Sequence, residues 1–356
     1  MKNSQQQFVF ASESWISRAR AAGFSLMELM VAMAMFLIVG GTAVNLFKQH
    51  VPMFTQQQNQ TAVNVAMRNA AAQMQIDLAN AGTGYYQGVN IPAWPIGLTI
   101  VNPAAGAVCN VAGTQTYGAG CFDTLNIISV DPNTPPSNPQ DIGANCVSST
   151  SSNLFATPIG ATTLPQLAAD YNTGDELLVV KSDGSQMTTV ILSAPGQVTG
   201  GKVKLQHNPT AADGSNGGDP YGIANPADAN KLGTTFCTTD WILKIDAITY
   251  SVDTVTNPAN PTLVRTQGTG GPATVVADQI IGFKVGAWNT VTNQYEYTAA
   301  NYNADWSSIK SVRLSLIGRT NPQTTANTGY KNTFDNGSYR VEGVSIVVNP
   351  RNLSMN

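Results

Sequence analysis

Charge is what this sequence has least of: only 11% of its 356 residues are Asp, Glu, Lys or Arg, against roughly 25% in an ordinary soluble protein. The few charges leave a net of −3 and a pI near 5.3. No basic face is available to displace counterions from phosphates, so a nucleic-acid partner is not expected. Histidine is scarcer still, with two residues, His50 and His207. Neither lies in an HExxH motif or beside a nucleophile, so both read as surface or structural residues and no enzymatic constellation is expected. Gly82-Thr83-Gly84 and Gly268-Thr269-Gly270-Gly271 lack the strand–helix setting of a nucleotide loop and read as turns. No cofactor is expected.

Cysteine is limited to Cys109, Cys121, Cys146 and Cys237, with no CxxC pair. In an oxidising compartment four cysteines make two disulfides in one of three connectivities. Cys109 with Cys121 closes the shortest loop and is the first choice; buried free thiols are the alternative. Asp213, Asn216 and Asp219 place oxygen ligands in a Gly-rich loop that is a weak Ca²⁺ candidate. Their spacing is not that of an EF-hand, and a solvated loop is the simpler reading.

The polar residues are mostly Asn, Thr, Gln, Ser and Gly, as is common in exported proteins, and long apolar runs are limited to one. From Phe24 to Phe47 the chain is apolar but for Glu28 and a few small or amide residues. As a helix this run covers about 35 Å, enough for a hydrocarbon core of about 30 Å. Lys2, Arg18 and Arg20 against Glu13 make the preceding segment mildly basic, which keeps it cytoplasmic and exports the chain beyond the apolar run. A secretory signal places its small-residue cleavage site after the apolar stretch. Here Ala21-Ala22-Gly23 stand before it. Cleavage there removes the basic leader and keeps the helix.

Glu28 lies about one turn inside that helix. A carboxylate at such a depth is costly and marks function by default. Its natural partner is the α-amine that cleavage would create at Phe24, in the same chain or a neighbour. Such a pair fixes axial register, since a one-residue slip leaves both charges unpaired. The bland alternative is a glutamate that reaches the interface unpaired. Ala32, Ala34, Gly40, Gly41 and Ala43 permit close helix approach, and Gly40-Gly41 with Pro52 weaken the helix between them.

Gly23-Phe24-Ser25-Leu26-Met27-Glu28-Leu29 resembles the signature of type IV prepilins and type II secretion pseudopilins. The resemblance implies cleavage between Gly23 and Phe24 by a prepilin peptidase, N-methylation of Phe24, and a role for Glu28 in assembly. Further on, Val63, Met67, Ala70, Ala71, Met74 and Leu78 form one apolar helical stripe, and Gly82 suits a left-handed stop. Strands are expected over 124–130, 176–181, 188–192, 202–205, 242–252, 262–266, 275–285, 309–317 and 339–348. The stretches 131–141 and 209–230 read as surface loops, and 85–121 as irregular.

The segments Ala70 to Gly82, Ala247 to Val252, Leu263 to Arg265, Val276 to Val285, Ile309 to Leu314 and Arg340 to Val348 loosely resemble PilW-type minor pilins, and J-type pseudopilins next. One departure is Asn80, which stands where an Arg is common. The resemblance implies an α+β, pilin-like fold, a long N-terminal helix packed on a large β-rich head. It divides the chain into a leader (1–23), a transmembrane and filament-core helix (24–47), its amphipathic continuation (48–82) and an exported head (83–356). Such a subunit assembles with other pilins on an inner-membrane platform, first single-pass with a periplasmic head and then at the cell surface. A head this bulky favours a low-copy pilus subunit; a minor pseudopilin or a tip adhesin are the alternatives.

Overall fold

In the computed structural model the described residues are 24–82, 97–103, 117–183, 185–207, 232–268, 271–289, 291–298, 311–320 and 331–351. The chain divides into two compact units, Met1–Gln57 and Gln58–Asn356. One helix, α1 (Leu26–Ala79), supplies the described part of the first unit and opens the second. It runs unbroken through position 52. A proline there removes one backbone donor without ending the helix, so the weakening expected near Gly40 and Pro52 is not expressed as a break.

The second unit is rich in strands. They are β1 (Leu98–Val101), β2 (Thr124–Val130), β3 (Ser137–Pro139), β4 (Cys146–Val147) and β5 (Asn153–Pro158), then a short α2 (Leu164–Ala169). There follow β6 (Glu176–Val180), β7 (Met187–Ile191), β8 (Gln197–Thr199), β9 (Lys202–Gln206), β10 (Phe236–Cys237), β11 (Trp241–Asp253) and β12 (Thr262–Gln267). The last are β13 (Ala273–Ala277), β14 (Ile280–Asn289), β15 (Gln294–Glu296), β16 (Val312–Arg319) and β17 (Val341–Val348). The long β11 organises the larger sheet, pairing antiparallel with β2, β3, β6 and β12. A second sheet runs β15-β14-β16-β17, all antiparallel. A long N-terminal helix followed by a β-rich head is the α+β class expected.

The helical stripe packs as its period requires. Met67, Ala70, Met74 and Leu78 are fully buried, in one core with Leu125, Ile127, Ile248 and Tyr250 of the larger sheet and Phe283, Val285, Leu314 and Leu316 of the smaller. Gly318 of β16 lets the helix in: a Cβ there would stand 2.8 Å from Met67 Sδ and 3.0 Å from Val63 Cγ1. Gly318→Val is expected to destabilise the head by about 1–3 kcal/mol through overpacking. Urea melts test this, with Gly343→Ala as the neutral control, because its Cβ meets nothing nearer than 3.9 Å. Gly82, at φ +71, ends the helical region as expected.

Sequence and structure part company at several strands. The single strand expected over 275–285 is two, β13 in the larger sheet and β14 in the smaller. The chain changes sheets at Asp278-Gln279, where Gln279 takes φ +57. The expected loop 131–141 contains β3, with Ser137 and Pro139 buried and paired to β5. Within 85–121, expected to be irregular, β1 pairs with β2 over four residues.

Between β2 and β11 the chain builds a second core from Val147, Leu154, Leu167, Tyr171, Leu205 and Phe236, among others. α2 begins on a reciprocal cap, Thr163 with Gln166, which has no counterpart in the expectations. His207 directly follows β9 and is wholly buried, with neither ring nitrogen hydrogen-bonded. It is structural rather than a surface residue. Burial lowers its pKa from 6.5 to about 4, so the folded ring is neutral. The unfolded chain therefore takes up the proton first, and stability falls as pH drops from 6.5 towards 4. Between pH 7 and 4.5 the wild type should lose about 2–3 kcal/mol more than His207→Leu. Equal losses in urea melts would remove His207 as the cause.

Candidate processing and assembly site

The site begins where α1 begins. Ser25 stands just before the helix, and its carbonyl accepts the first helical bond from Leu29 N at 3.2 Å. Its hydroxyl accepts from Glu28 N at 3.2 Å. In return the Ser25 backbone N–H and its hydroxyl donate to Glu28 Oε2, at 3.0 and 3.3 Å. This is a reciprocal capping box, which satisfies two helix-end donors and sets a negative charge at the positive end of the dipole. The signal Ser25-x-x-Glu28 is legible in the sequence. A reading of Glu28 as a charge alone passes over it.

The cap holds Phe24 outside the helix, with 87% of its surface exposed. Gly23, the expected last leader residue, lies outside the described residues. Behind the cap, α1 is long and apolar enough to cross a membrane, and among the described residues none in its most apolar stretch is buried. Leu29, Met30, Val31 and Val39 are all exposed and lie on several sides of the helix rather than along one stripe. A helix apolar all round calls for an apolar surrounding. The Thr42 hydroxyl donates to Val39 O at 2.8 Å, which leaves its proton satisfied there.

Residues 18–44 match the prokaryotic N-terminal methylation motif. The match spans Gly23, Phe24, Ser25, Glu28 and the apolar run as far as Val44. No curated protein matches the chain. Among solved structures, a type IV-like pilin from Thermus thermophilus aligns over 82% of this chain and 97% of its own, at 8% identity and a TM-score of 0.30. The motif and the apolar helix are those of a chain anchored in a membrane by its N-terminus.

At the far end of α1 a polar clamp joins helix to sheet. Asp77 Oδ2 accepts from Tyr250 OH at 2.5 Å and from Arg265 Nε at 2.9 Å. Burial, reinforced by the Asp77 carboxylate, pushes the Tyr250 phenol above its ordinary pKa and keeps it a donor. The acid–base pair of this helix end thus runs through Asp77 and Arg265, although Asn80 stands where an Arg is common. Sequence reading did not single out Asp77.

Cys146 and Cys237 are joined. They face each other on the two-residue pair β4–β10. Of the three connectivities open to four cysteines, the one containing this bond also joins Cys109 to Cys121. Cys121 is buried, and Cys109 lies outside the described residues. Asp213, Asn216 and Asp219 also lie outside them. Among the described residues no three His, Cys, Asp or Glu side chains are grouped to hold a metal. His50 is exposed on α1.

Proposed function

We propose that this chain is a minor subunit of a type IV pilus, cleaved after Gly23, N-methylated at Phe24 and assembled through α1. The observation that carries the reading is the methylation motif over 18–44, seated on the capped start of a helix whose apolar surface is unburied among the described residues. Membrane lipid covers that surface first, and the helices of other pilin-type subunits replace it on assembly. Glu28 holds its own cap through Oε2 and offers its charge to the amine of Phe24 in a neighbouring subunit. Prepilin peptidase and the inner-membrane assembly platform are the partners that this route requires. The Cys146–Cys237 bond fits a head folded in the oxidising periplasm.

The head serves as a structural and interaction module rather than an enzyme. Its size, and the loose resemblance of β11, β12, β14 and β17 to PilW-type subunits, favour a low-copy place at the tip or in the initiating complex. The same stretches resemble J-type pseudopilins of type II secretion, for which an identical processing route applies. Mass spectrometry of the mature protein tests the reading. An N-methylated Phe24 terminus is expected; an intact Met1 start, or cleavage beyond Phe47, refutes it. Recovery of the chain in sheared pili or in secretion pseudopili separates the two systems.

A further inference from the structure

The turn that precedes β17 is gathered on one carboxylate. Asp335 Oδ1 accepts from Asn332 Nδ2 at 2.8 Å and from Gly337 N at 3.0 Å. Its Oδ2 accepts from two phenols, Tyr117 at 2.5 Å and Tyr339. Behind them stands Arg319, buried, which donates to Tyr339 OH at 3.3 Å with its guanidinium 4.9 Å from that ring's centre. Gly337 is held at its carbonyl as well, which accepts from Asn332 N at 3.0 Å and from Asn332 Nδ2 at 2.9 Å. A buried residue tied at both its N–H and its C=O opens only with its surroundings.

Inside this clasp lies an Asn-Gly pair, Asn336-Gly337. The sequence has one other, Asn216-Gly217, outside the described residues. The fold asks for both residues of the pair. Asn336 takes φ +61, a left-handed backbone that asparagine tolerates better than most side chains. At 337 a Cβ would stand 2.7 Å from Tyr339 Oη, so any side chain there would push the phenol off Asp335. The same pair carries a chemical liability, because a glycine nitrogen is unhindered and its backbone turns freely. Gly337 N can bond to Asn336 Cγ, losing its proton while ammonia leaves, which closes a five-membered succinimide. Water then opens the ring at one carbonyl or the other and leaves aspartate or isoaspartate. Asn336 is exposed, so water reaches it.

We propose that Asn336 is a latent self-modification site, kept intact in the folded head by the Asp335 clasp and converted to aspartate or isoaspartate once the turn opens. The inference stands apart from the pilus reading. To close the ring, Gly337 N must leave Asp335 and swing onto Asn336 Cγ, a movement that the bonds on both sides of Gly337 resist. The carboxylate facing the N–H also opposes its ionisation, since the charge left on nitrogen would have the same sign. Burial alone would raise the Asp335 pKa, but hydrogen bonds from Tyr117, Tyr339, Asn332 and Gly337 hold it below the ordinary carboxylate value. Asp335 therefore stays charged near neutral pH and is a weak base for that proton. Modification is one-way. Isoaspartate adds one backbone carbon between positions 336 and 337, and either product adds a negative charge beside Asp335. Both changes work against reclosing the clasp, so a transient opening is made lasting.

The test follows full-length protein in detergent micelles at mildly basic pH, with and without urea. Peptide mapping by mass spectrometry reads conversion at Asn336 as the change from amide to acid. Wild-type chain should convert at least tenfold more slowly when folded than in urea, since only the open turn reacts. In Asp335→Ala that ratio should fall at least threefold. Comparing each chain with its own rate in urea cancels any effect of the neighbouring residue on the chemistry. Equal folded and unfolded rates in the wild type overturn the proposal, as does an unchanged ratio in Asp335→Ala. Should that variant unfold outright, the wild type decides through hydrogen exchange at Gly337 N–H. Strong protection there supports the clasp, and exchange at the unfolded rate overturns it.

Discussion

Glu28→Gln is expected to retain the helix cap and lose assembly, whereas Ser25→Ala should do the opposite. The two substitutions separate the cap that the geometry shows at Glu28 from the assembly role proposed for the same side chain. Glutamine at the third helical position still accepts from Ser25 N–H, so the first turn of α1 stays closed, but the charge offered to an amine is gone. Breaking one partner of a water-poor ion pair costs about 3–5 kcal/mol, enough to reduce filament incorporation at least tenfold. Alanine at position 25 removes the hydroxyl that accepts from Glu28 N at 3.2 Å. That costs about 1 kcal/mol of helix stability and frays the first turn while the carboxylate remains. Hydrogen exchange of Leu26 to Leu29 in detergent micelles reads the cap, and recovery in sheared filaments reads assembly. Glu28→Ala should fail in both. Were Glu28→Gln to assemble normally and Ser25→Ala not, Glu28 would act through the cap and the charge pairing would be wrong.

Loss of the Cys146–Cys237 bond is expected to have the second large effect. It closes a segment spanning 91 positions, and removing such a link costs about 2–5 kcal/mol, largely through the freedom returned to the unfolded chain. The strands it joins, β4 and β10, have two residues each, so the ladder hydrogen bonds at this seam are few. The damage should be local. In the Cys146→Ser, Cys237→Ser double variant, the core of Val147, Leu154, Leu205 and Phe236 should open to proteases and exchange first. The core around Met67 and Met74 should stay protected, because it draws on α1 and both sheets. An unchanged melting temperature under reducing and oxidising conditions would show that the bond stabilises nothing.

The clarity of the sequence tracks the range of the interactions involved. The capped helix start, the apolar run and the stripe Met67, Ala70, Met74 and Leu78 are local: their signals lie within a few residues, at a period the helix itself imposes. Strands β2, β9 and β11 are similarly legible, because apolar and β-branched residues cluster along them. The short β3, β4, β8 and β10 carry too few residues for a period to show, and they exist only because longer neighbours supply a partner. The expected strand over 275–285 failed for a related reason. Its composition is continuous, and only the presence of two sheets requires the turn at Asp278-Gln279.

By itself the sequence supplied the N-terminal proposal, cleavage after Gly23 with the helix kept, and it determined which residue carries the charge in the apolar run and which helix face meets the head. All of these depend on neighbours close in the chain. Tertiary structure alone decided that Cys146 faces Cys237, that Asp77 finds Arg265 and Tyr250, and that Asp123 closes on the β14 edge of the smaller sheet. Each joins residues tens to hundreds of positions apart, and no spacing along a chain encodes which of them a fold will bring together.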